Sequence, residues 1–261
     1  MKICVLNLSG NVGKSTLAVH LLAAYSPGSR ILSVESINAS ATQGMQDLEV
    51  EELGASRFKE ILRELMQSDD VIVDVGASNV AAFMTEMKRF KSAVGEFDWV
   101  LVPTVPALKQ QLDTIATIDW LHELGVEGHK VRVLLNQYAS ETQDPVEVIY
   151  SHVLGYAAAD GRGKAIYEPH AVIDHNEVYE LAKGTGQLMR DLAVNTTDWK
   201  AARADAKRAG DMVALERAMS SQITHDLAVT AHENLARVHG LLFAHQSAND
   251  VLQVPSGKRR A

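Results

Sequence analysis

The chain has 261 residues, 46% apolar and 22% charged, with 33 acidic against 25 basic side chains and a formal net charge of −8. That length fits one or two domains with a sizeable core, and no apolar run approaches the ~20 residues of a membrane-spanning helix. Met1-Lys2 opens no signal-peptide pattern, and a single cysteine, Cys4, excludes a disulfide framework or a cysteine-based zinc site.

The composition predicts a cytoplasmic protein. Its charge is uneven: residues 1–190 hold 16 basic and 25 acidic side chains, residues 191–261 hold 9 and 8. An acidic body suits polyanionic DNA poorly, so a nucleic-acid contact would need a local patch, and the C-terminal third is the place for one.

Taken in chain order, Ile3 to Leu8 is apolar apart from Asn7 and stops at Ser9-Gly10, which reads as a buried strand. Residues 14–25 read as a helix closed by the turn Ser26-Pro27-Gly28-Ser29. A second strand runs from Ile31 to Glu35. Residues 56–67 place Phe58, Ile61, Leu62 and Met66 at helical spacing. Val71-Ile72-Val73 closes on Asp74 as a third strand, and 79–92 is helical again. Trp99 to Val102 ends at Pro103 and Pro106, a helix follows to about Glu123, and Val131 to Leu135 is a fifth strand ending at Asn136.

This alternation predicts an α/β fold with a mostly parallel, doubly wound sheet covered by helices on both faces. Right-handed crossovers then bring the strands' C-terminal ends to one edge, where such sheets bind ligands. Ser9–Ser15, Glu35–Asn38, Asp74–Ser78 and Asn136 all fall there. From about 190 onward only helix is expected. Apolar residues from Met212 through Leu215, Met219, Ile223, Leu227, Leu235, Val238 and Leu242 form one drifting stripe at ~100° per residue. A continuous helix over 212–245 would run ~50 Å, with Ser220-Ser221 or Gly240 as places for a break. The expected organisation is an α/β unit over 1–190, a helical extension of the same domain over 191–250, and a mobile basic tail over 251–261.

Gly10-Asn11-Val12-Gly13-Lys14-Ser15-Thr16 lies between the first strand and first helix. Phosphate binding needs closely approaching backbone N–H groups, a cation for the β/γ-phosphates and a hydroxyl for Mg²⁺. Gly13, Lys14 and Ser15 supply these in order. The first glycine of the full G-x-x-x-x-G-K-[ST] pattern would fall at Leu8, so that pattern is not met. Asp74, at the end of an apolar strand, reads as the acid linked to Mg²⁺ or as a strand-end cap, and Gly76 as a close-approach point for the γ-phosphate or as a simple turn glycine. Nothing resembles N-K-x-D, which weakens a guanine-specific reading.

With these residues the chain resembles the ParA/MinD-type ATPases, whose deviant loop K-G-G-x-G-K-[ST]-T is matched by Ser9 to Thr16 with two changes. Pro103-Thr104-Val105-Pro106 looks like that family's proline-bearing fourth strand end. Tyr167-Glu168-Pro169 with Leu181-Ala182-Lys183-Gly184 looks like its late strand and following helix. Ser9 to Lys14 together with Val34-Glu35-Ser36-Ile37-Asn38-Ala39 resembles the StbB plasmid-stability proteins, and Asp74-Val75-Gly76-Ala77-Ser78 is similar to TraL-type conjugation proteins. The resemblance implies ATP and Mg²⁺ as ligands, Lys14, Glu35 and Asp74 as catalytic groups, and Ser15 and Asp74 on the metal. It further implies nucleotide contacts from Gly10 to Thr16, Asn38 and Gly76, with Asn136 against the base. Its partners would be a small DNA-binding plasmid-stability protein or a conjugation component. A homodimer is left open, and direct DNA binding has weak support.

Two departures bear on activity. Ser9 replaces the family's signature lysine, which reaches across a sandwich dimer, and Ile37 replaces the second acid of D-x-D. The resemblance thus implies either a slow or partner-stimulated switch ATPase, or a nucleotide-binding adaptor with negligible hydrolysis. Elsewhere, Gly161-Arg162-Gly163-Lys164 reads as a basic loop, or a cation for phosphate in a closed state. Lys200, Arg203 and Lys207 share a helix face that is either solvated or a phosphate-backbone patch. His225, His232 and His239 read as a polar helix face opposite the apolar stripe.

Overall fold

A computed structural model describes residues 1–35, 49–141, 144–183 and 185–243. Ser36, Ile37, Asn38, Gly184 and the tail over 251–261 lie outside the described residues. The elements are β1 (Lys2–Val5), α1 (Lys14–Leu17), β2 (Arg30–Val34), β3 (Val50–Glu52), α2 (Phe58–Gln67), β4 (Val71–Val75), α3 (Val80–Arg89), α4 (Ser92–Glu96) and β5 (Trp99–Thr104). They continue with α5 (Leu108–Glu123), β6 (Val131–Tyr138), α6 (Val146–Ile149), α7 (Ser151–Ala158), β7 (Ile166–Asp174), α8 (Val178–Leu181), α9 (Met189–Ala193), α10 (Trp199–Ala209) and α11 (Met212–Phe243).

The sheet has seven strands in the order β3-β2-β4-β1-β5-β6-β7, and every pairing is parallel. Alternation along β1 sorts its side chains between two cores. Ile3 and Val5 join the core under α1, α8, α9 and α11, whereas Cys4 and Leu6 join the one under α2, α3 and α4. A third cluster packs α5 and α7 on β6 through Ile118, Val133, Leu135, Tyr150 and Val153. A helix layer on each face is the arrangement that parallel strands require.

The structure adds β3 and β7 to the five strands that periodicity predicts. β3 is only three residues long, too short for a pattern, and β7 carries polar residues along its first half. In α2 the fourth buried residue is Leu65, and Met66 is 53% exposed. The expected 79–92 helix divides into α3 and α4 at Phe90. The 14–25 helix is continuous in direction, but passes from α1 into a π-helical turn at Ala18–Leu22 and a 3₁₀ turn at Ala23–Tyr25.

α11 is one helix of 32 residues with no break at Ser220-Ser221 or Gly240, ~48 Å long at 1.5 Å per residue. Its buried residues are Ala218, Ala228, Ala231, Asn234, Leu235, Val238, Leu242 and Phe243. The apolar stripe read from the sequence is therefore correct only in its second half. Met219 and Ile223 face outward, because alanines rather than large residues form the close-packed seam. The histidines are corrected too. His232 Nδ1 lies 3.0 Å from the Tyr25 hydroxyl, the His239 ring stacks on Tyr25 at 4.8 Å, and His225 Nδ1 lies 2.9 Å from the Leu192 carbonyl. They line the packed side of the helix. Lys164 is likewise committed, to Asp119 at 2.6 Å and to the Tyr156 hydroxyl at 3.2 Å.

The α2 correction is testable by truncation. Leu65→Ala should cost about 3 kcal/mol in urea unfolding, as large-to-small core changes do. Met66→Ala should stay within about 0.5 kcal/mol.

Candidate functional site: a phosphate-loop site at the strand ends

The site is built by register. β1 pairs with β4 so that Val5 stands beside Asp74, and β2 pairs with β4 so that Ser33 stands on its other side. The chain leaving β1 therefore passes over the Asp74 carboxylate. Glu35, one residue past β2, lies beside Gly76, whose N–H donates to the Val34 carbonyl at 3.0 Å. A Cβ on Gly76 would come within 2.7 Å of Glu35 Oε1, so a side chain there would displace that of Glu35.

The loop is anchored from behind. Asn7 Nδ2 donates to the Pro103 carbonyl at 2.8 Å and to Thr114 Oγ1 at 2.7 Å, while its Oδ1 accepts from the Ser9 N–H at 2.7 Å. The Leu8 N–H donates to Thr117 Oγ1 at 3.1 Å. Asn7 was the one polar residue in an otherwise apolar strand, which is the signal that could have found it. Asn11 and Gly13 adopt left-handed backbone, φ 59° and 86°, a region that asparagine and glycine enter most easily. Gly13 is also required by packing, since a Cβ there would lie 2.4 Å from Asn136 Nδ2. Gly10 shows neither constraint: its added Cβ would meet nothing within 4 Å.

Asn136 is buried and donates to the Val12 carbonyl at 2.9 Å, and Tyr150 donates to the Asn136 carbonyl at 2.7 Å. Gln137, with a left-handed φ of 61°, reaches the Asn11 carbonyl at 3.4 Å. A non-glycine residue held there costs of order 1 kcal/mol. Gln137 was missed by sequence reasoning, because nothing in the sequence marks a backbone outlier at a strand end. Beside this corner opens a cleft of about 330 Å³ whose walls include Gly13, Thr16, Asn136, Gln137, Asp174 and Tyr179.

The electrostatics centre on Asp74, which is 1% exposed. Burial pushes its carboxyl up to about 6, against the lowering effects of a hydrogen bond from Ser15 and the Lys14 charge, and the nearby Glu35 charge adds to the rise. Its Oδ1 has no hydrogen-bond partner. Lys14 is 7% exposed, with Nζ donating to the Ser9 carbonyl at 2.7 Å. Burial lowers its pKa, opposed by Asp74 and Glu35. Lys14, Ser15, Glu35, Asp74 and Gly76 are thus one cluster, with Gly13 and Asn136 on the cleft side. Ser9 is buried in the loop wall, 1% exposed. An unpaired buried carboxylate oxygen beside a hydroxyl is the donor set a hard divalent cation takes, so Mg²⁺ fits the residues present.

No protein-family model matches the chain, and no curated protein matches it in sequence. Among solved structures, the fold is similar to apo McdA from Cyanothece, with TM-score 0.50 and 16% identity over 74% of this chain and 92% of that one. Also similar are the cell division ATPase MinD from Pyrococcus furiosus (TM-score 0.49, 13% identity, 91% and 98% of the chains) and a plasmid partition protein from Borrelia burgdorferi bound to AMPPNP (0.44, 12%, 69% and 87%). At these identities the likeness is one of fold. The chain has a P-loop NTPase-like α/β fold, with a helical C-terminal segment.

Asp74 has a stability signature. Its raised pKa means that the fold prefers the neutral carboxyl. The cost is present in full above about pH 6 and is relieved as the pH falls toward the unfolded-state value near 4. Asp74→Asn should therefore stabilise the protein by roughly 3 kcal/mol at pH 8, with the gain vanishing toward pH 4. Urea unfolding without nucleotide or divalent cation, compared with wild type across that range, checks it. His20, buried with its pKa near 4, works in the opposite sense but is common to both proteins and cancels.

Proposed function

We propose that the chain is a Mg·ATP-binding, ParA-like ATPase whose nucleotide state switches the binding of a partner, in plasmid stability, positioning or conjugative transfer. The observation that carries this is the convergence of Lys14, Ser15, Glu35 and Asp74 over one strand register, in front of a loop pinned from behind. Bound Mg²⁺ would neutralise phosphate charge and orient the terminal phosphoryl group. The backbone of Gly10 to Thr16 would cradle the phosphates, and Lys14 would turn from the Ser9 carbonyl to the β/γ-oxygens. Ser15 and Asp74 would hold the metal, Asp74 either directly or through water. Glu35 would orient the attacking water, and Gly76 would let backbone approach the γ-phosphate.

Asn136 is assigned to both the loop and the base, since its side chain ties down Val12 while bordering the cleft. Asn38 remains part of the proposed site on the resemblance alone. The partner would be a small DNA-binding plasmid-stability protein or a conjugation component, and the proposed organisation is a nucleotide-binding unit over 1–190 with the helices of 191–250 attached.

A second reading, an adaptor that binds nucleotide with negligible turnover, is favoured by Ser9. That position is a buried wall residue, so it offers no cation to a neighbouring site, and charge stabilisation of transfer would have to come from a partner.

Single-turnover hydrolysis of Mg·ATP and Mg·GTP, with binding measured separately by a fluorescent nucleotide analogue, separates the readings. Lys14→Ala should weaken binding by ~100-fold or more. Glu35→Ala should keep binding while losing ~100-fold or more in turnover. Undiminished ATP affinity in Lys14→Ala would sink the phosphate-loop account. Tight ATP binding without turnover in wild type would select the adaptor.

A further inference from the structure

α10 and the first half of α11 form a hairpin turned at Gly210, which is left-handed at φ 67°. Its seam is thin. Ala206 is the buried residue of α10, and Ala218 is the one buried residue of α11 before Ala228. Large apolar side chains remain outside: Met212 and Val213 are each 71% exposed, Ile223 56% and Met219 42%. Met212, Met219 and Ile223 lie seven and four residues apart, on one helix face.

Beside that stripe runs a groove of about 340 Å³ whose walls include Arg203 and Lys207 from α10, and Met219, Gln222, Ile223 and Asp226 from α11. Neither Arg203 nor Lys207 forms an ion pair among the described residues, whereas Arg208 is paired with Asp205. Residues 199–219 carry five basic and three acidic side chains in a chain whose net charge is −8. Scattered exposed apolar residues are ordinary, but a stripe rimmed by free cations marks an interaction surface.

We propose that this groove docks an amphipathic helix of a partner protein that presents carboxylates beside its apolar stripe. Apolar residues of such a helix would cover Met219 and Ile223, and its carboxylates would pair with Arg203 and Lys207. Charge decides the occupant. A second copy would bring a face of like net charge, five basic and three acidic side chains over residues 199–219, and the chain's own residues 244–261 contain Lys258, Arg259 and Arg260 against a single acid, Asp250. A nucleic-acid backbone would meet Met219, Ile223 and Asp226 where it needs further cations. The inference is independent of the nucleotide reading.

The test uses the full chain and a fluorescein-labelled designed helical peptide with a leucine stripe flanked by glutamates, beside its glutamate-to-lysine counterpart. Fluorescence anisotropy should show the acidic peptide binding ~10-fold or more tightly than the lysine form, and weakening with added salt. Ile223→Asp should reduce that binding ~10-fold. The pair Arg203→Glu and Lys207→Glu should reverse the preference, with circular dichroism melts and ATP binding unchanged. Equal affinity for both peptides, or no binding of the acidic one, overturns the proposal. So does self-association in sedimentation that Ile223→Asp removes, or binding of duplex DNA or anionic phosphatidylglycerol vesicles that the charge reversal abolishes.

Discussion

A carboxylate buried under the loop that follows the first strand governs this structure. Asp74 lies between Val73 and Val75 in a strand whose five residues are all buried, and the register that makes the sheet puts it beside Val5 and Ser33. Nothing in the surrounding core requires an acid. Its ionised form is disfavoured by burial and opposed by Glu35, while only Lys14 and Ser15, both on the loop, favour it. A residue that costs stability where an apolar one would pack is the kind of group that marks a candidate binding site.

The flanks of the loop are held by hydrogen bonds. On the β5 side, Asn7 and the threonines of α5 hold the segment before the first glycine. On the β6 side, Asn136 and Gln137 hold the carbonyls of Val12 and Asn11. Carbonyls held from behind leave N–H groups free to face forward, which is the preorganisation that anion binding asks of a backbone. Gly13 belongs to both demands at once, because its φ and its contact with Asn136 each exclude a side chain.

How much of this was legible varied with the physics. Alternation of apolar runs and turn residues exposes β1, β2, β4, β5 and β6, and the loop motif exposes Gly13, Lys14 and Ser15, because local chemistry dictates both. The anchors Thr114, Thr117 and Gln137 were not legible, since their roles depend on which strand neighbours which. α11 misleads for a different reason. Hydropathy ranks Met219 and Ile223 above Ala218, Ala228 and Ala231, yet close helix packing selects the small residues and leaves the large ones outside. The same substitution of criteria misplaced His232 and His239, whose rings pack on Tyr25 as flat, partly apolar bodies.

The two surfaces of interest share one rigid element. Asn234 on α11 accepts from the Asp174 N–H at 3.2 Å and donates to the Val172 carbonyl at 3.1 Å, and Asn176 donates to the Leu227 carbonyl at 3.3 Å. Asp174 and Asn176 also wall the cleft beside Gly13. The helix fixed by these bonds continues unbroken to the exposed hairpin face. A displacement of the cleft wall must therefore either carry α11 with it or break side-chain bonds that are half-buried.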